Sequence, residues 1–124
     1  VAPYMPQLTR LVVDYIENAG ITVVDSVSLS VADNCAVGRL DPSELPEHAA
    51  GLKLDNVDGI VLSACVQMPS LPAVQTVQDS TGLPVVTAAT ATSREMLTAL
   101  GLDPVVPQAG AALGSLPVRA KVAT

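Results

Sequence analysis

Val57-Asp58-Gly59-Ile60-Val61-Leu62-Ser63-Ala64-Cys65-Val66-Gln67-Met68-Pro69-Ser70 is the run from which the fold is read. After the turn-like Asp58-Gly59, the unbroken apolar Ile60-Val61-Leu62 suits a parallel strand covered on both faces. The strand runs straight into Cys65, and a helix start follows. In open α/β sheets ligands bind at the carboxyl edge of the strands, so the thiol stands where chemistry is expected. The backbone N–H groups of Val66 and Gln67 then face whatever approaches it, and N–H groups at a helix start hold anions.

Working outward, the same architecture repeats. Pro6 opens a helix, with Leu8, Leu11, Val12, Tyr15 and Ile16 on one stripe and Gly20 as its stop. Ile21 to Val24 is β-branched and predicts a strand that continues through Val27 and Leu29. Val31 to Gly38 reads as a loop or short helical turn. Asp41-Pro42-Ser43-Glu44 has capping-box form, with Pro46 close enough to make the helix irregular at its start. Beyond Cys65, Leu71, Val74 and Val77 predict a helix ending near Gly82. A short strand follows at Pro84 to Thr87, then a helix to about Leu100, with Thr92 and Glu95 as a second capping box. The alternation predicts an α/β fold with a right-handed, three-layer architecture: a mostly parallel four-stranded sheet with helices on both faces. One domain is expected over residues 1–107, and a tail, partly irregular or disordered, over 108–124.

Composition sets the outer limits. The 124 residues suffice for one domain with a real core. With no Trp, no Phe and two Tyr, that core is built from Val, Leu, Ala and Ile. No apolar run approaches the roughly 20 residues that span a bilayer, and the net charge of −6 argues against nucleic acid or anionic membranes as partners. Two cysteines without a signal peptide point to reduced thiols and a cytoplasmic location. The chain starts at Val1, with Pro3-Tyr4 already reading as a strand-to-helix loop, so a processed chain or a piece of something longer is expected.

The segments after the strands bring Pro3-Tyr4-Met5, Ala32-Asp33-Asn34-Cys35 and Cys65-Val66-Gln67 to one sheet edge. They supply a phenol, a carboxamide, a thiol and backbone amides, with no cluster of Lys, Arg or His. Such a pocket suits a small carboxylate, with the thiol as nucleophile or proton carrier. Each residue also has a plainer role. Cys65 alone is a small buried hydrophobe as readily as a catalyst; Asn34 suits a turn, Tyr4 suits packing at a helix entrance, Cys35 lacks an activating partner, and His48 sits on a solvated helix. The spacing of two Cys and one His makes no metal site, and no glycine-rich phosphate loop is present.

Pro3-Tyr4-Met5, Ser28-Leu29 with Val31-Ala32-Asp33-Asn34, and above all Ser63-Ala64-Cys65-Val66-Gln67-Met68-Pro69-Ser70 resemble the maleate cis-trans isomerases of the aspartate/glutamate racemase superfamily. The resemblance runs to about Pro107. It implies one Rossmann-like half of a racemase-type fold and a cofactor-independent conversion of maleate into fumarate. One thiol adds to the alkene, a second protonates the neighbouring carbon, and rotation and elimination follow. By resemblance Cys65 is the second-domain, acid/base cysteine. Tyr4 and Asn34 are substrate-binding, and Val66 and Gln67 are backbone donors to a carboxylate. The domain with the other cysteine is missing, so the chain resembles the C-terminal half of such an enzyme, a homodimer when full-length. Two other readings stand beside this one: a sister activity of racemase or arylmalonate decarboxylase type, and a non-catalytic α/β module in which Cys65 is only core.

Overall fold

The computed structural model describes residues 1–114; the rest of the expected tail, 115–124, lies outside the described residues. Pro6 opens α1 (Pro6–Asn18), where its missing N–H costs nothing, and Gly20 follows at φ +86°. Then come α2 (Asn34–Val37), a 3-10 turn (Pro42–Glu44) leading into α3 (Leu45–Ala50), β1 (Ile60–Ser63), α4 (Leu71–Thr81), β2 (Val85–Thr87), α5 (Ala88–Ala99) and a 3-10 turn (Ala111–Leu113). Among the described residues no helix is long and apolar enough to cross a membrane.

β1 and β2 pair in parallel, Ile60 opposite Val85 and Val61 opposite Val86. Two further extended segments lie beside them. The Val1 amine donates to the Val61 carbonyl at 2.7 Å, and the Ala64 N–H donates to the Val1 carbonyl at 3.1 Å. On the other side, Ala2 N–H donates to Val27 O at 2.9 Å, and the N–H groups of Leu29 and Val31 donate to Ala2 O and Pro3 O, both at 2.8 Å. The spatial order is therefore 27–31, 1–4, β1, β2. Among the described residues only the last pair forms a strand ladder, where a four-stranded sheet was expected. A single bridge, Ala2 with Ser28, marks the other junction. Pro3 has no N–H to extend pairing, and among the described residues Ile21 to Val24 forms no strand.

Ile60 and Leu62 project from one face of β1 into a core shared with Val85, Val74 and Val77 of α4, Leu45 and Ala49 of α3, and Val37 of α2. Ala109 and Leu113 are buried as well, so part of the expected tail packs on the domain. The opposite face is different. Val61 is 38% exposed and opens onto a cavity of about 600 Å³, lined from the α1 side by Val12, Val13 and Ile16. Helices flank both faces, but β1 is not sealed on both. Thr9 is the residue α1 buries, while Leu8, Leu11 and Tyr15 of its predicted stripe face outward.

Two caps differ from expectation. α5 is capped by Thr87, whose Oγ1 accepts from Thr90 N–H at 3.0 Å while Thr87 N–H donates to Thr90 Oγ1 at 2.9 Å. This reciprocal box displaces the one expected at Thr92 and Glu95. Asp41 is the N-cap as expected, but its carboxylate accepts from Ser43 N–H at 2.8 Å while Glu44 N–H donates to the Asp41 backbone carbonyl at 3.2 Å, because the chain there winds as a 3-10 turn before Leu45.

Candidate active site

Cys65 sits two residues beyond β1, half-buried, with its thiol free and its flank packed on the core. The β1–β2 ladder slips by one residue just before it: Val61 faces Val86, but Ser63 faces Thr87. Irregular steps of this kind re-aim side chains at the ends of strands. After Ser63 the chain turns through Ala64 to Met68 before α4 starts at Leu71, with Pro72 in its first turn. Among the described residues, the N–H groups of Cys65, Val66 and Gln67 find no acceptor. Val66 and Gln67 are exposed, so these donors line an open edge.

Tyr4 is placed beside Cys65 by the pairing of residues 1–4 with β1. Its hydroxyl is pushed up to about 12, first by burial and then by the neighbouring Cys65 thiol. The phenol therefore keeps its proton at ordinary pH beside that thiol. The backbone behind it is tied down: Tyr4 O accepts from Ser30 N–H at 3.1 Å, which carries the 28–33 segment to the same edge.

Asn34 opens α2 and is exposed, with no side-chain hydrogen bond among the described residues. Asp33 sets its position by accepting from Cys35 N–H at 2.9 Å as the N-cap. The far end of α2 reaches the cysteine turn, where a Cβ on Gly38 would lie 4.0 Å from Gln67 O. Cys35 is an exposed, free thiol. His48 lies half-buried on α3, less solvated than its neighbours predict. Among the described residues no three His, Cys, Asp or Glu side chains are grouped to hold a metal.

Sequence reasoning assigned no separate role to Ser63. This residue is fully buried, and its Oγ donates to the Cys65 carbonyl at 2.7 Å. The signal was a lone hydroxyl closing an apolar strand, two residues before the cysteine.

Known proteins of similar sequence and fold resemble the chain over most of its length. The family model for arylmalonate decarboxylase matches residues 1–113. The maleate isomerase of Pseudomonas putida is 58% identical over 113 residues, covering 91% of this chain and 45% of that protein. A crystal structure of a Pseudomonas putida maleate isomerase superposes with a TM-score of 0.89 at 51% identity, over 92% of this chain and 46% of the other. A maleate cis-trans isomerase of Nocardia farcinica, a cysteine-to-serine mutant with a covalently bound succinylcysteine intermediate, gives 0.88 at 42% identity, over 94% and 47%. The chain spans about half the length of the curated relatives it matches.

Proposed function

The chain belongs to the arylmalonate decarboxylase family, and we propose that its place there is one half of the site of a maleate cis-trans isomerase. The observation that carries the reading is the meeting of Cys65, the Tyr4 phenol and unpartnered backbone N–H groups at one sheet edge. Such a set binds a carboxylate by hydrogen bonds and moves a proton beside it, without a cationic side chain.

In this reading the substrate carboxylate takes the N–H groups of Val66 and Gln67, with the Tyr4 hydroxyl and the Asn34 carboxamide as further donors. A thiolate from the other half adds to one alkene carbon, while the Cys65 thiol delivers its proton to the neighbouring carbon. The product is a succinyl thioether, the species named in the Nocardia farcinica structure. Its central bond is single and rotates. The Cys65 thiolate then removes the proton, the thioether bond breaks, and fumarate leaves with both thiols restored. No oxidant, reductant or cofactor enters the balance. Two free cysteines suit a reduced, cytoplasmic setting, and the other half of the enzyme, and a second copy of the full-length protein, are its partners.

The test is a chimera in which this chain replaces the matching half of the Pseudomonas putida enzyme, followed through the alkene protons of maleate by NMR. Fumarate formation that disappears with Cys65→Ala is expected, with none from the 124-residue chain alone. A folded chimera without turnover overturns the reading, and turnover by the chain alone overturns the two-thiol division. Phenylmalonate in the same assay addresses the decarboxylase activity for which the family model is named.

A further inference from the structure

We propose that Ser63 is a positioning residue that holds the Val66 N–H towards the substrate carboxylate. The inference rests on the isomerase reading for its substrate, but its geometry stands on the chain itself. Ser63 is wholly buried, and its hydroxyl donates to the Cys65 carbonyl at 2.7 Å. That carbonyl shares a peptide unit with the Val66 N–H. The unit is trans, as are all described peptide bonds, and a planar trans peptide points its C=O and N–H in opposite directions. Drawing the carbonyl inward to a buried hydroxyl therefore turns the N–H outward. There, among the described residues, it meets no acceptor.

The same bond reaches the thiol. The anchored carbonyl and the Cys65 side chain leave one Cα, so holding the carbonyl fixes that residue's ψ and the direction from which Cβ departs. The ladder slip between Val61 and Ser63 sets the hydroxyl at the strand end from which it reaches forward two residues. Without the hydroxyl, a partly buried carbonyl is left without its partner, and the peptide unit gains reason to flip towards water. A flip would put an oxygen where the carboxylate needs a donor.

A donor that serves ground state and transition state alike acts on KM and leaves kcat in place. In the chimera, Ser63→Ala is expected to raise KM for maleate about tenfold with kcat within about twofold, and Ser63→Thr, which keeps the hydroxyl, to restore KM. In the 124-residue chain, ¹H–¹⁵N NMR is expected to show the Val66 amide moved by Ser63→Ala and near its original position in Ser63→Thr. An active chimera whose KM is unchanged by Ser63→Ala overturns the proposal, as does a variant that loses only thermal stability. A chimera inactive with Ser63 intact overturns the isomerase reading instead. The NMR arm then decides the peptide orientation alone, and an unmoved Val66 amide overturns that.

Discussion

Tyr4 keeps its proton to about pH 12 because its ring is withdrawn from water and Cys65 lies against its hydroxyl, burial being the larger cause. In a Tyr15→Phe variant, where Tyr4 is the only phenol, absorbance titration is expected to give a midpoint near 12. Cys65→Ala should lower that midpoint yet leave it above the ordinary value of 10, and a midpoint at 10 with Cys65 present would place the ring in solvent. Asp33 makes a second residue-scale case. Its carboxylate caps α2 through the Cys35 N–H at 2.9 Å and lies 3.8 Å from the exposed Arg39 guanidinium. The cap outweighs the ion pair, since exposed pairs contribute little. Asp33→Ala should cost about 1 kcal/mol in urea unfolding. Asp33→Asn should keep most of this, and Arg39→Ala should cost less than about 0.5 kcal/mol. Cys65, Tyr4 and Asn34 could be singled out as candidates because thiol, phenol and carboxamide stand out in an apolar chain. Ser63 was not, because its meaning lies in a contact with a carbonyl, which no residue type announces.

Elements were legible where one strong local signal dominates. Pro6 and Gly20 bound α1, and Gly82, at φ +69°, ends α4. Asp41 is the N-cap its sequence predicts, though its carboxylate takes Ser43 N–H in a 3-10 turn, while the box expected at Thr92 and Glu95 falls inside the helix that Thr87 and Thr90 cap. The last turn was the hardest to foresee. Gln78 reaches from α4 to accept from Val85 N–H at 3.3 Å and Ala111 N–H at 2.9 Å, stitching α4, β2 and the Ala111–Leu113 turn together. Gly110 is the hinge of that contact. Its φ of +72° and ψ of −172° fall in territory nearly restricted to glycine. A Cβ there would lie 2.5 Å from Val74 Cγ1 and 2.9 Å from Val85 O. Gly110→Ala should therefore cost about 3 kcal/mol or more, overpacking and backbone strain together. Gly101 at φ +69° has nothing within 4 Å of the same position. Its alanine variant should cost only about 1 kcal/mol, so equal losses for the two in urea unfolding would refute the packing argument.

At the scale of the whole molecule, the α/β class with parallel pairing was legible, since βαβ alternation favours right-handed parallel crossovers, whereas the order of the strands was not. The unfilled face was not, because a sequence shows which residues are apolar and not whether a partner covers them. Leu11 and Tyr15 are 64% and 78% exposed on α1, and Leu100 is 70% exposed after α5. Apolar surface left open in this way promotes association. Leu11→Lys with Tyr15→Lys should lower self-association in sedimentation while leaving the thermal midpoint nearly unchanged, and a large fall in that midpoint would mean the face is core. In the 124-residue chain taken as a separate protein, whose first residue carries a free amine, the sheet junction makes stability depend on pH. The Val1 amine donates to Val61 O at 2.7 Å, and burial pulls its pKa from 8.0 down to about 6, with Asp25 opposing the shift. Between those values the unfolded chain binds more protons than the folded one, so stability rises with pH from about 6 to 8, falls over the same window as pH is lowered, and changes no further through this group below 6. The gain should be about 2 kcal/mol between pH 6 and 8. Urea unfolding at pH 5.5, 7 and 8.5 measures it, and acetylating the amine should remove this component. If the free and acetylated chains followed the same pH curve, the amine would not be the group responsible.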